Sequence, residues 1–176
     1  MSFLVAIDGG VGAGKSHLAK GIREKLPNIC ILRTDHFFCP PTDFREHPDP
    51  EIAYRRYFPW TRMHDEALLP LLRGEAARYQ RYDWETDRLN QWIVVKSNPI
   101  ILVEGVFSSR PELRAFTDLA IFVDTPREER LRRMRARGHL VRDPENNWLL
   151  PWMAVEDWYL STVRPTKYVQ ITSQGF

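Results

Sequence analysis

A chain of 176 residues, 43% of them hydrophobic, can bury a core of its own, and a single domain over residues 1–176 is expected. A net charge of +2, from 25 Lys and Arg against 23 Asp and Glu, argues against nucleic acid as the main partner. No apolar run approaches the roughly 18 residues of a membrane span, and the two cysteines lack metal-ligand company. Small anionic ligands and a cytoplasmic setting are expected, with self-association into a homo-oligomer left open.

The apolar run Phe3-Leu4-Val5-Ala6-Ile7 reads as a strand and is followed by Gly9-Gly10-Val11-Gly12-Ala13-Gly14-Lys15-Ser16. This fits G-x-x-x-x-G-K-[ST] at every fixed position, in the strand–loop–helix order the motif needs. Glycines let successive backbone N–H groups point into one concavity at the positive end of a helix, where they cradle phosphate oxygens. Residues Gly9 to His17 are therefore the expected nucleotide-binding set. Lys15 would reach the outer phosphates and Ser16 would offer its hydroxyl to Mg²⁺. The helix is predicted from Lys15 to Leu26 and stops at Pro27.

Ile29-Cys30-Ile31-Leu32 suits a buried parallel strand, ending at Arg33-Thr34-Asp35-His36-Phe37-Phe38. Ligands of open α/β sheets sit beyond the carboxyl ends of the strands, so Asp35 is a candidate base for an attacking hydroxyl; capping a turn is its structural alternative. Residues 39–61 form a proline- and aromatic-rich loop with one helical turn near Ile52 to Tyr57, expected to wall the acceptor pocket. From Thr61, the positions Met63, Ala67, Leu68, Leu71 and Leu72 have helical spacing up to Gly74, with a bend expected at Pro70. Ala77 to Trp84 and Gln91 to Lys96, around a polar turn from Glu85 to Asn90, predict a hairpin lobe over about 76–97. In it Tyr82 and Trp84 could stack on a heteroaromatic ring, although packing is the commoner use of such a pair.

Pro99 to Val103 is the most hydrophobic run and reads as a central strand ending in Glu104-Gly105. An acidic residue at that tip is a candidate for the metal side of a phosphate site. A short helix over Pro111 to Phe116 and a strand over Asp118 to Asp124 follow. Pro126 then opens a helix carrying Arg127, Arg130, Arg132, Arg133, Arg135 and Arg137. A basic helix is usually a solvated face, but this one runs into an irregular stretch, His139 to Asn147. Residues 132–147 are therefore read as an arginine lid over a transferring phosphoryl group. A helix over Trp148 to Val163 and a last strand over Pro165 to Ile171 close the chain. Strands and helices alternate throughout, which predicts a three-layer α/β/α sandwich on a parallel sheet.

Together the loop Gly9 to Ser16, Thr34-Asp35-His36-Phe37-Phe38, Tyr82-Asp83-Trp84, Ile101-Leu102-Val103-Glu104-Gly105, Leu119 to Arg137 and Arg164-Pro165-Thr166-Lys167-Tyr168 resemble the uridine kinase-like branch of the phosphate-loop kinases over nearly the whole chain. The resemblance implies an ATP- and Mg²⁺-dependent phosphotransferase acting on a small-molecule hydroxyl, such as the 5′-hydroxyl of a nucleoside. It implies Asp35 as base, Ser16 and Glu104 on the Mg²⁺ side, and Arg133 and Arg137 as lid arginines working with Lys15. It also implies Tyr82 as a wall of the nucleoside pocket, and Phe37, Trp84 and Asp87 are taken with it on the acceptor side. His47-Pro48-Asp49 is similar to the family's ribose-binding stretch, making Asp49 a further candidate. Asp87 stands where uridine kinases carry a base-contacting histidine. The segment Asp35 to Pro40 is also similar to nicotinamide riboside kinases, so that substrate or another alcohol is the alternative acceptor. A nucleotide-dependent regulatory ATPase is the alternative of a different class.

Overall fold

The structure is a computed structural model and describes residues 2–38, 49–86, 88–137 and 149–175. Five parallel strands form the sheet in the order β2-β5-β1-β6-β7: β1 Phe3–Asp8, β2 Ile29–Arg33, β5 Ile100–Glu104, β6 Leu119–Asp124 and β7 Ile171–Gln174. The register sets Ile7 beside Glu104 and Arg33 beside Glu104, so the tips of β1, β2 and β5 meet on one rim.

Helices cover both faces because these strands are apolar on both faces. Along β1 and β5 successive side chains alternate between layers. Leu4, Ile101 and Val103 join a core with Met63, Leu68, Leu71 and Tyr79 on one side. Val5, Ile7 and Leu102 join one with Ala13 and Ala19, backed by Leu18 and Ile22, on the other. The second group belongs to the loop and to helix α1, Lys15–Lys25. The predicted three layers are therefore present.

Helix α2, Pro50–Tyr57, is a full two turns where one was expected. The next predicted helix is three pieces in one run: α3 Trp60–Met63, a π turn His64–Leu68, and α4 Leu69–Leu72. The wide turn comes just before Pro70, which has no N–H to give and whose ring crowds the preceding turn, so the expected bend takes the form of a π bulge. The hairpin pairs β3 Ala77–Asp83 with β4 Arg88–Val95. Its second strand starts earlier than predicted because Asp83 closes the turn, accepting from Glu85 N at 2.9 Å and Asn90 Nδ2 at 2.9 Å.

Pro111–Phe116 is a 3-10 helix, and α5 runs Arg127–Ala136. Helix α6, Leu149–Trp158, continues into a π turn, Tyr159–Val163. The last strand begins later than expected, because Pro165–Lys167 forms a 3-10 turn. Trp148, the first residue of the predicted helix, lies outside the described residues. Among the described residues no helix is long and apolar enough to cross a membrane.

Candidate active site

The loop between β1 and α1 has the backbone its glycines predict, with Gly9, Gly12 and Gly14 at φ of +140°, +77° and +108°. L side chains avoid that region, and a Cβ on Gly9 would also come within 2.5 Å of the Val123 carbonyl oxygen of the neighbouring strand. Gly10, Val11 and Ala13 complete the turn, and the Ala13 carbonyl accepts from buried Thr125 Oγ1 at 2.9 Å. Lys15, Ser16 and His17 form the first turn of α1, Lys15 buried, the other two exposed. The ammonium of Lys15 folds back onto the carbonyls of Gly9 and Gly10 at 2.8 and 2.9 Å. A cation and helix-terminal amides thus face one concavity.

Across the rim, Glu104 is 4% exposed and its carboxylate accepts from Ser16 Oγ at 3.1 Å. Arg33 Nε approaches the same carboxylate at 3.6 Å. Burial raises the pKa of Glu104 and the charge of Asp35 raises it further, while Lys15 and the Ser16 bond oppose. Asp35 stands in the 3-10 turn Thr34–Phe37 directly after β2 and keeps contact with solvent. The surrounding protein raises its pKa, with Lys15 and Arg33 pulling the other way. Ser16, Glu104, Lys15 and Asp35 therefore lie close enough to act on one another's charge.

The arginines divide. Arg133, on the side of α5 facing the loop, bonds Glu129 at 2.7 Å and reaches the carbonyls of Gly12 and Ala13, both at 3.3 Å. Arg137 is the exposed C-cap of the same helix. The stretch expected to be the lid, 132–147, is helical up to Ala136, and its remainder from Gly138 lies outside the described residues.

On the acceptor side, several expected residues are occupied otherwise. Phe37 is 2% exposed, with its ring 4.5 Å from that of Tyr79 and under the Arg62 guanidinium. Tyr82 is also buried, 4.9 Å from Phe38, so its face is packed rather than open. Trp84, 55% exposed, lies over Phe38 at 4.4 Å. Asp49 is the exposed N-cap of α2, its Oδ1 accepting from Glu51 N at 2.9 Å and Ile52 N at 3.2 Å. Asp87 lies outside the described residues. A small cleft of about 20 Å³ is walled by Phe37, Phe58, Trp60, Met63 and Phe107, with Thr34 and Arg110 its polar members. Arg110 is held over the Tyr54 ring and donates to the Phe58 carbonyl at 2.7 Å.

Sequence reasoning missed Asp8, Arg130 and Glu156. Asp8 is 1% exposed and accepts from Gly9 N at 2.7 Å, Phe107 N and Ser109 N at 3.0 Å, and Tyr159 Oη at 2.8 Å. Burial pushes its pKa up and these donors oppose. An acid ending an apolar strand just before the glycines was the available signal. Glu156 and Arg130 are paired at 2.5 Å, 2% and 5% exposed. In sequence Glu156 falls among Trp152, Met153, Val155 and Tyr159, the buried stripe of α6, where a charge marks a partner waiting elsewhere.

A parallel sheet with a glycine loop at the tip of its middle strand, a lysine and serine opening the next helix, and two acidic residues on neighbouring tips define a phosphate-loop nucleotide-binding protein. The AAA domain family model matches residues 5–148. The chain is 30% identical over 174 residues to a uridine kinase of Halobacterium salinarum, covering 93% of this chain and 72% of that one. It is 30% identical over 167 residues to a uridine kinase of Alkaliphilus metalliredigens, covering 92% and 77%. A Bacillus stearothermophilus structure described as a possible uridine kinase superposes with a TM-score of 0.74 at 21% identity, over 98% of this chain and 88% of that one, and shows the shared fold. The chain belongs to the uridine kinase family of phosphate-loop kinases, and it is a small-molecule kinase.

Proposed function

We propose that this kinase moves the γ-phosphoryl group of ATP to the 5′-hydroxyl of a nucleoside, with Asp35 as the general base. The observation that carries the reading is the coupled cluster of Lys15, Ser16, Glu104 and Asp35 at the tips of β1, β2 and β5. In this reading the loop amides and Lys15 bind the polyphosphate. A serine hydroxyl and a buried carboxylate 3.1 Å apart are hard oxygen donors of the kind Mg²⁺ takes alongside phosphate oxygens and water, so Ser16 and Glu104 fit that ion. Bound there, Mg²⁺ would supply positive charge to the phosphate oxygens.

The chemistry is in-line transfer. The acceptor oxygen bonds to the γ-phosphorus as the bond to the β-bridging oxygen breaks, and ADP leaves. The acceptor proton passes to a carboxylate oxygen of Asp35. The raised pKa of Asp35 makes it a better proton acceptor, and its solvent contact gives the proton a way out. Arg133, beside the loop carbonyls, is within the same region to oppose developing charge, with Arg137 a turn further on. The acceptor's ring would lie against the aromatic cleft and Trp84. A cytoplasmic setting and a small-molecule acceptor, without nucleic acid or membrane, complete the reading.

Asp49, exposed at the start of α2 with its Oδ1 committed to the cap, keeps Oδ2 for the acceptor's sugar. Nicotinamide riboside and simpler alcohols are assayed beside uridine and cytidine. The test is Asp35→Asn. Turnover of the best acceptor, followed by coupled ADP release, should fall about 10²–10⁴-fold, the usual reach of a general base, while ATP still binds. A variant retaining most of its turnover removes Asp35 from the role.

A further inference from the structure

Helix α6 touches the phosphate loop through Glu156. Its Oε1 accepts from Val11 N at 2.6 Å and from Trp152 Nε1 at 3.0 Å, and its Oε2 accepts from Arg130 Nη1 at 2.5 Å. The same guanidinium nitrogen reaches the Val11 carbonyl at 3.4 Å. Both polar atoms of the Val11 peptide group region are thus engaged by one buried ion pair, from α5 on one side and α6 on the other. One turn on, Tyr159 holds Asp8, whose other oxygen takes the Gly9 N–H.

The chemistry of the pair is unusual for a phosphate site. A buried carboxylate close to bound polyphosphate repels it, and burial already raises the pKa of Glu156, with Arg130 and Lys15 opposing. An apolar residue at 156 would avoid that repulsion and would suit the stripe of α6 better. What Glu156 provides instead is a strong acceptor aimed at a loop N–H, since a bond from a peptide to a carboxylate is among the stronger ones available. Gly10 and Gly12 flank Val11 and give the segment little stiffness of its own. A Cβ on Gly10 would collide with Arg130, and one on Gly12 would come within 2.9 Å of the Arg130 carbonyl oxygen, so the loop is packed directly on this pair.

We infer that Glu156, backed by Arg130, is a positioning residue for the nucleotide: it turns the Val11 N–H away from the concavity and fixes the arm of the loop before Gly12. The following amides are then presented to phosphate in one geometry. This rests on reading the loop as the ATP site, and the experiment separates the two.

The test uses two variants that divide the hydrogen bond from the charge. Glu156→Gln keeps an oxygen for the Val11 N–H and loses the charge that balances Arg130. Glu156→Asp keeps the charge and withdraws the carboxylate from Val11 by one methylene. Binding of the non-hydrolysable analogue AMP-PNP with Mg²⁺ is measured by calorimetry, and thermal unfolding alongside it. Positioning requires Glu156→Asp to raise the Kd by about tenfold or more, with the acceptor KM unchanged within twofold. Glu156→Gln should bind within about threefold of the parent chain although it melts lower. A purely structural ion pair would give the reverse order, Gln worse than Asp, and that result, or both variants within twofold of the parent, overturns the inference. A parent chain that does not bind AMP-PNP refutes the ATP-site reading itself, and the inference with it.

Discussion

Replacing Asp8 by Asn tests whether the start of the phosphate loop and the turn after Glu104 are held by one carboxylate. In the parent chain its two oxygens accept four hydrogens, from Gly9 N, Phe107 N, Ser109 N and Tyr159 Oη, all in a site 1% exposed. Asparagine keeps one oxygen and puts an NH₂ where the other was. Two of the four donors then face a donor. Each buried donor left without a partner costs about 1–3 kcal/mol, so the pair comes to roughly 2–6 kcal/mol. The Tyr159 hydroxyl can rotate and accept instead, which brings the cost into the lower half of the range, about 3 kcal/mol. For a chain of this size that is a fall in Tm of roughly 6–12 °C. The NH₂ that faces Tyr159 also faces Ser109 N, so the Gly105–Ser109 turn, which holds Phe107 at a left-handed φ of 65°, should loosen as well. Calorimetric melting and urea unfolding measure the loss, and an unchanged urea slope shows that the denatured state is not responsible. A Tm within 2 °C of the parent, at equal slope, would refute the account of Asp8 as a four-donor knot.

The other expectations concern pH and close packing. Burial, with the charges of Arg33 and Arg81, lowers the pKa of His36 from 6.5 to about 4, and its Nδ1 lies 3.2 Å from Tyr79 Oη. The unfolded chain therefore binds the proton more readily. The neutral imidazole contributes stability that is complete above pH 6.5, is lost progressively as pH falls towards 4, and changes no further below. The two values differ by roughly 3 kcal/mol of linkage, reduced to about 1–2 kcal/mol because the ring keeps some solvent contact. Urea midpoints at pH 7 and 5 should show about half of that loss, and His36→Asn should flatten the profile; equal pH slopes would remove His36 as the cause. Gly105, at φ +141°, has no room for a Cβ beside Thr34 Oγ1. Gly105→Ala should cost about 2–4 kcal/mol through strain and displacement of Thr34. Through the neighbouring Glu104 and Asp35 it should lower kcat at least tenfold, and unchanged kinetics would show that the β5 tip does not set the cleft.

Local sequence determined the parts whose chemistry is short-range. Glycine spacing and the lysine-serine pair specify the loop because only backbone freedom over a few residues is involved. Apolar runs without alternation specify strands buried on both faces. Acids at strand tips are legible because the parallel topology sends every such tip to one rim, which is how Asp35 and Glu104 can be grouped from sequence alone. Only the tertiary structure decided how distant side chains are used. Tyr82 and Phe37 look like ligand contacts in one dimension, yet packing on Phe38 and Tyr79 commits their faces elsewhere. Asp49 looks like a sugar ligand, and the start of α2 gives its Oδ1 a second use as the helix cap. Asp8 and Glu156 carry charge into apolar stripes, and periodicity says nothing of their donors, which come from residues 99, 101, 145 and 151 positions away in the chain. A hydrogen bond across such a gap depends on the closed fold bringing both ends together, and no local pattern encodes that meeting.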